Sequence, residues 1–219
     1  MRANWALIFV TLLLTQLLAG CTGVLEETVD PRASLTASPT EIQQGEGVTF
    51  DALDSDAIEG VITGFEWDFG DGTTTTTIAG FTSHQFMQSG RFTVKLTVTN
   101  DQGGSDSTSI LIKVNGAPQI NISMPEVVRS GDIVLLDASN TYDPENGPLK
   151  FAWDLNFMED SDGDGDTRND VDSVDARVYI PTESSGSILG SLTVDDGEGG
   201  IVSEQFTICL LYTSDAADE

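Results

Sequence analysis

The sequence predicts an all-β protein, two tandem β-sandwiches behind an N-terminal export segment. Short runs of alternating apolar and polar residues recur along it, and Arg91-Phe92-Thr93-Val94-Lys95-Leu96-Thr97-Val98 is the cleanest of them. Glycine is abundant at 22 residues and threonine is frequent, which suits strands separated by tight turns. The chain also repeats itself. Asp51 in Phe50-Asp51-Ala52 returns as Asp137 in Leu136-Asp137-Ala138, and Asp68 in Glu66-Trp67-Asp68 as Asp154 in Ala152-Trp153-Asp154, 86 residues on in each case. Leu96-Thr97-Val98 returns as Leu192-Thr193-Val194, 96 residues on, and the turn Asp101-Gln102-Gly103-Gly104 matches Gly197-Glu198-Gly199-Gly200. The second copy therefore carries about ten extra residues between its Trp-Asp pair and its Leu-Thr-Val strand.

The chain of 219 residues has room for two such modules. It holds 36 acidic residues against 9 basic ones, a net charge of −27. That balance makes nucleic acid and anionic lipid head groups poor partners, so no nucleic acid is expected, and it favours cations and positively charged surfaces. A hydrophobic content of 39% argues against wholesale disorder.

Taken in order, residues 1–20 read as a signal peptide. Arg2 gives a positive start, and the apolar stretch from Trp5 to Leu18 is shorter than a comfortable membrane span. It closes on Leu18-Ala19-Gly20-Cys21, which resembles the lipobox of prokaryotic lipoproteins. By that resemblance Cys21 is lipidated, and the exported chain is anchored at the cell surface. An uncleaved anchor helix and a plain secretory signal with an incidental cysteine are the alternatives. Residues 21–33 form a tether without apolar periodicity.

The first sandwich is expected over 34–115. Val48 and Phe50 alternate with polar neighbours, and the next clear strand ends on Trp67-Asp68-Phe69-Gly70-Asp71-Gly72. There Phe65, Trp67 and Phe69 face one way and Glu66 and Asp68 the other, before a tight reversal that Gly70 and Gly72 permit. The threonine run Thr73 to Thr77 is β-prone, and Ile110, Ile112 and Val114 complete a last strand before the hinge at Asn115-Gly116-Ala117-Pro118. The second sandwich is expected over 116–208, with Ile120, Ile122 and Met124 alternating and another strand at Ile133 to Leu136. Residues 209–219, from Cys209, break the pattern and back-translate to a string resembling the transposon-end adapter of shotgun sequencing libraries. They are set aside on that ground, with a genuine short polar tail as the alternative. A Cys21–Cys209 disulfide is rejected.

Taken together, the strand ending Phe50-Asp51-Ala52, the Trp67 to Gly72 signature, the Gly90-Arg91-Phe92-Thr93-Val94 strand and the Gly-Gly turn resemble the PKD domain family, immunoglobulin-like β-sandwiches common on extracellular proteins. The similarity runs from Ser34 to Ile208 and is strongest in the first copy. In the second copy Asp137 to Pro144 and Trp153-Asp154 fit. No Gly-Asp-Gly follows at once, and Ser187 to Ser191 departs from the aromatic-rich pattern.

The richest candidate chemistry is the insert, Glu159 to Asp172. Carboxylates at alternate positions with glycines between them suit a hard cation such as Ca2+, which gathers six to eight oxygens. Asp160, Asp162, Asp164, Asp166, Asp170 and Asp172 are the candidate ligands. Counted from Asp160, Asp162 and Asp164 fill the third and fifth positions of a helix-loop-helix calcium loop and Gly165 the sixth, but Val171 stands where its bidentate Glu belongs. The run also resembles the Asp-rich calcium repeats of thrombospondin-type proteins. The alternative is a solvated acidic loop with no fixed ion. The PKD resemblance further implies weaker calcium ligands at Asp68, Asp71 and Asp154, which could equally cap their turns. It also implies a structural His84, the only histidine.

No catalytic set is expected. His84 has no evident local partner, no cysteine is reactive and no phosphate loop precedes a helix. Paired carboxylates for glycoside hydrolysis stay open on composition, though small sandwiches rarely offer the cleft. Two functions remain. One is a non-catalytic surface lipoprotein whose modules, stiffened by calcium, space or present a site for protein or carbohydrate. The other is the N-terminal accessory fragment of a larger secreted protease or polysaccharide-degrading enzyme.

Overall fold

The computed structural model describes residues 28–157, 160, 163, 165–168, 170–182 and 186–211. The export segment, Cys21 and most of the tether lie outside the described residues.

Fourteen strands and no helix make up the described chain. The first eight are β1 (Thr36–Ser38), β2 (Glu41–Gln43), β3 (Gly47–Asp51), β4 (Ile62–Asp68), β5 (Thr74–Thr77), β6 (Phe81–Gln85), β7 (Gly90–Asn100) and β8 (Ser105–Asn115). They form a three-stranded sheet, β1-β3-β6, and a five-stranded sheet, β2-β8-β7-β4-β5. The alternation in β7 buries Val94, Leu96 and Val98 completely, while Arg91, Thr93 and Lys95 face water. Trp67 from β4, Phe50 from β3 and Ile112 from β8 meet them in one apolar cluster. Fully burying a side chain of this size contributes about 1.5–3 kcal/mol, so the cluster is what holds the two sheets together.

The remaining strands are β9 (Val127–Arg129), β10 (Ile133–Asp137), β11 (Lys150–Asp154), β12 (Arg177–Pro181), β13 (Gly186–Asp195) and β14 (Ile201–Leu211). They form a pair, β10-β12, and a four-stranded sheet, β11-β13-β14-β9, over a second cluster centred on Trp153, Leu136, Leu192 and Ile208. Ile120, Ile122 and Met124 pack against that cluster from a stretch that makes isolated bridges, Gln119 to Tyr142 and Ser123 to Asp137, in place of a regular strand. The stretch from Ser187 to Ser191 lies within β13, in continuous antiparallel register with β14.

One boundary differs from the sequence expectation. The fold was expected to end at Ile208, yet β14 runs to Leu211. Cys209 to Leu211 pair in parallel with Val127 to Arg129, as Lys113 to Asn115 pair with Glu41 to Gln43 in the first module. Leu210 packs on the second cluster, so burial and edge pairing both continue the strand. Cys209 is free and exposed, and residues 212–219 lie outside the described residues.

The modules meet through polar groups. Lys113 Nζ donates to Glu198 Oε1 at 2.6 Å, and Gln43 Nε2 donates to the Glu198 carbonyl at 2.9 Å. Asn115 Nδ2 donates to Gln43 Oε1 at 3.0 Å and to Asp196 Oδ2 at 2.8 Å, with Asn115 and Asp196 both buried. The turn that supplies Asp196 has a twin. Asn100 Oδ1 accepts from the amides of Gln102 and Gly104, and Asp196 Oδ1 accepts from those of Glu198 and Gly200. Asn100 Nδ2 in turn donates to the Val29 carbonyl at 2.7 Å. Each module's closing turn thus holds a residue at that module's entrance, Val29 through its carbonyl and Asn115 through its side chain.

Candidate cation site

In the first module the signature turn is closed by its own side chains. Asp68 Oδ1 accepts from the Gly70 amide at 3.0 Å. Asp71 Oδ1 accepts from the Thr73 amide at 3.0 Å and from Thr73 Oγ1 at 2.6 Å. Gly70 has φ of +77°, and a Cβ there would stand 2.7 Å from the Thr93 carbonyl oxygen, so glycine is required twice over. Asp71 Oδ2 lies 2.6 Å from His84 Nε2 on β6, whose ring stacks on Phe69 at 4.0 Å and meets the edge of Phe86 at 4.8 Å. Burial alone would push the Asp71 carboxyl up. The hydrogen bonds from Thr73 and His84 outweigh it and hold Asp71 below the ordinary carboxylate range. His84 therefore has the local partner that the sequence did not reveal. The two residues are 13 positions apart and meet only because β6 packs beneath the turn. A histidine on the strand following an Asp-rich turn is the signal that could have raised the pair.

The second module departs from this plan immediately after the Trp-Asp pair. Trp153 bridges to Ser173 as Trp67 pairs with Thr75, and the Trp153 indole N–H donates to the Asp175 carbonyl at 2.8 Å as that of Trp67 does to Thr77 Oγ1 at 3.1 Å. The far end of the insert thus stands where β5 stands. From Trp67 to Thr75 is 8 residues and from Trp153 to Ser173 is 20, so this connection gains 12. From Thr75 to Leu96 is 21 and from Ser173 to Leu192 is 19, which removes two and leaves the net ten legible in the sequence.

Asp154 sits at the base of this longer connection, 3% exposed. Its Oδ1 accepts from the Asn156 amide at 3.1 Å, whereas its Oδ2 is buried with no hydrogen-bond partner. Asp170 is also 3% exposed, and Asp172, two residues on, returns to the same strand end. The Asp172 amide donates to the Trp153 carbonyl at 2.8 Å, and Asp172 Oδ2 accepts from the Leu155 amide at 2.7 Å. Burial pushes the Asp154 carboxyl up, and the negative charges of Asp172, Asp170 and Asp166 push the same way against the single Asn156 amide. An imidazole is missing where the first module has one. Val48 pairs with His84 across β3 and β6, while Val134 pairs with Ile180 across β10 and β12.

The six insert carboxylates were expected to share one focus. Asp160 Oδ1 accepts from the Gly163 amide at 2.6 Å and its Oδ2 from the Gly165 amide at 3.0 Å, so both oxygens are taken by the loop's own backbone. Asp166 Oδ1 accepts from the Arg168 amide at 3.1 Å, and the Arg168 guanidinium lies 5.8 Å from the centre of the Phe157 ring. Asp162 and Asp164 lie outside the described residues. Among the described residues no three His, Cys, Asp or Glu side chains already stand together as a metal cage. The structure thus places Asp160 in the turn of the loop and ties Asp172 to the end of β11 through Trp153 and Leu155, with Asp170 buried two residues before it.

Two immunoglobulin-like sandwiches joined through a polar seam define the class of this protein, an all-β tandem-module chain. Residues 28–114 match the family model of the PKD domain, and the first module is a PKD domain. Over 85 residues the chain is 35% identical to collagenase ColA of Clostridium perfringens, a match covering 39% of this chain and 7% of that enzyme. Over 73 residues it is 37% identical to a microbial collagenase of Vibrio alginolyticus, covering 33% and 9%. The chain therefore spans less than a tenth of either curated relative. Among solved structures, the PKD1 domain of the Vibrio cholerae metalloprotease PrtV is 31% identical, covering 39% of this chain and 98% of that one at a TM-score of 0.34. The titin fragment I67–I69 is 16% identical, covering 84% and 66% at a TM-score of 0.47.

Proposed function

We propose that this chain is a non-catalytic surface lipoprotein whose two sandwiches act as one stiff spacer, presenting a protein or carbohydrate ligand at a fixed distance from the membrane. The seam between the modules carries the proposal. Buried Asn115 is hydrogen-bonded to Asp196 and to Gln43, and Lys113 and Gln43 both engage Glu198. A flexible linker would need none of these contacts, and on this reading they hold the angle between the sandwiches against the relative motion that a polar inter-domain seam ordinarily allows. Small-angle scattering tests this: the profile should fit one elongated rigid body, and Asn115→Ala combined with Glu198→Lys should broaden it into two independent beads. A wild-type profile that already requires free inter-module motion rejects the spacer. The anchor is tested separately. Cys21→Ser should move the protein from the detergent phase to the aqueous phase in a phase-partition assay.

A second proposal rests on the sequence matches to collagenases, in which the region resembling this chain is a small part of a large enzyme. Under it these modules are accessory to a secreted protease, and their ligand is the substrate itself. Co-sedimentation with insoluble collagen separates the two. Depletion from the supernatant favours the accessory role, and full recovery there favours the plain spacer.

A further inference from the structure

We propose that the open edge of β11, with the apolar groove beside it, docks an extended peptide segment of a partner protein, one carrying a bulky apolar side chain flanked by lysine or arginine. Placed on the second module, this site gives the proposed spacer its protein ligand, and only that role rests on the spacer reading. In the first module β5 covers the corresponding edge, pairing Thr74 to Thr77 with Asp68 to Phe65 of β4. In the second, the far end of the insert bridges β11 at one residue. Trp153 and Ser173 exchange backbone hydrogen bonds at 2.8 and 3.4 Å, and the chain then leaves for β12. β11 is the end strand of its sheet, and no described strand pairs with its free side at Phe151. Along an antiparallel strand every second residue turns its amide and carbonyl the same way, so Phe151 presents both toward the open edge, as Trp153 does toward Ser173. The side chains register the missing cover: Phe65 is buried, whereas its counterpart Phe151 is only partly so.

The solvent face next to that edge differs in the same direction. Glu66 and Ser105 of the first module give way to Ala152 and Ile201 at the matching register positions. These two, with Leu149, Phe151, Val171 and Val174, line a groove of about 670 Å³. Val171, Val174 and Ile201 are 57%, 67% and 65% exposed. Natural sheets ordinarily blunt such an edge with a charge. The charge to hand, Lys150, leans the other way, across the sheet to Asp195 of β13 at 3.6 Å. Main-chain groups open for pairing, beside a pocket for alternate side chains, are what a sheet uses to take up an extended peptide. Charge selects the occupant. Asp172 and Asp175 follow the two valines and are exposed, in a chain of net charge −27, so the field at the groove favours a basic segment. The same field opposes a second copy of this acidic chain, edge to edge. A saccharide would leave hydroxyl groups without partners against these aliphatic walls.

The test uses the full chain and a fluorescein-labelled peptide, Lys-Val-Lys-Val-Lys, followed by fluorescence anisotropy, with amide exchange read by NMR. The free chain should exchange its Phe151 amide readily, and saturating peptide should slow that exchange by more than about tenfold. N-methylating the peptide backbone should weaken binding by more than about tenfold, as should replacing its lysines by glutamate or its valines by serine. Ala152→Glu and Ile201→Ser, which restore the first module's residues, should each weaken it likewise while both melting transitions stay in place. Glu66→Ala, in the other module, should leave binding unchanged. A Phe151 amide already protected in the free, dilute chain overturns the site, as does the absence of saturable binding at millimolar peptide. Undiminished binding in both Ala152→Glu and Ile201→Ser, or of the methylated peptide, overturns it too. So does protection of Phe151 by a cello-oligosaccharide, or by raising the protein concentration, without any response to the peptide; the edge would then belong to a saccharide or to a second copy. The spacer is judged apart: a chain that binds the peptide yet scatters as two independent beads keeps the site and loses the spacer, and a rigid rod that ignores the peptide does the reverse.

Discussion

The two modules share a strand ending in Trp-Asp over the same kind of core, and they part company in the next few residues. In the first, a short turn is closed by Asp68 and Asp71 with Thr73, and β6 contributes His84 beneath it. In the second, 12 additional residues separate Trp153 from its cross-strand partner, and Ile180 replaces the imidazole. The equivalent aspartate, Asp154, is then left with one oxygen unmatched inside the protein. The same sandwich therefore tolerates either a self-sufficient turn or a long acidic excursion. The difference lies in how far the turn's aspartates are matched within the module itself.

The largest effect should come from the residues that make the modules alike. Trp67→Ala and Trp153→Ala each empty a fully buried site and should cost about 3–5 kcal/mol. In calorimetry each should abolish one transition and leave the other recognisable. If one substitution is tolerated at less than about 1 kcal/mol, the two cores are not equivalent.

The sharpest test of the difference is one of sign. Asp71→Asn breaks a pair that is satisfied on both oxygens and should destabilise the first module by about 1–3 kcal/mol in urea denaturation. Asp154→Asn replaces a buried carboxyl that has one oxygen unmatched and should stabilise the second module by about the same amount. Two changes of the same sign would erase the contrast between the turns.

Acid distinguishes them further. The folded-state pKa of Asp71 lies below that of an unfolded aspartate, about 3.9, so its contribution is complete above that value. It is lost as pH falls through the folded-state pKa, when the carboxylate is protonated. First-module stability should therefore decline below about pH 4, and Asp71→Asn should flatten that decline in a pH series of thermal melts. The smallest effect should come at the seam. Lys113→Ala removes a partly exposed ion pair to Glu198 and should barely change stability, read as a small shift in the coupling between the two transitions.

Much of this architecture could be read from the sequence because it rests on local regularities. The alternation of Phe92, Val94, Leu96 and Val98 fixes a strand and its buried face. The repeated Trp-Asp and Leu-Thr-Val words fix two modules and the presence of an insert. What could not be read depends on register between distant strands. Neither the His84–Asp71 pair nor the substitution of Ile180 for His84 is visible until β3–β6 and β10–β12 are aligned. The insert shows the same limit. Alternate aspartates from Asp160 onward look like ligands, yet Asp160 is used by the glycine amides that make the loop curl. The burial of Asp170 comes from the loop's return path rather than from its composition.

The closing turns, Asn100 on Val29 and Asp196 on Asn115, have a consequence for how such chains grow. Val29 and Asn115 are 86 residues apart, the same interval that relates the Trp-Asp words. The clasp is shared: Asp196 belongs to the incoming unit, while Asn115 ends the last strand of the one before it. A further unit would dock in this way only onto a predecessor whose last strand ends on a residue able to serve as Asn115 does.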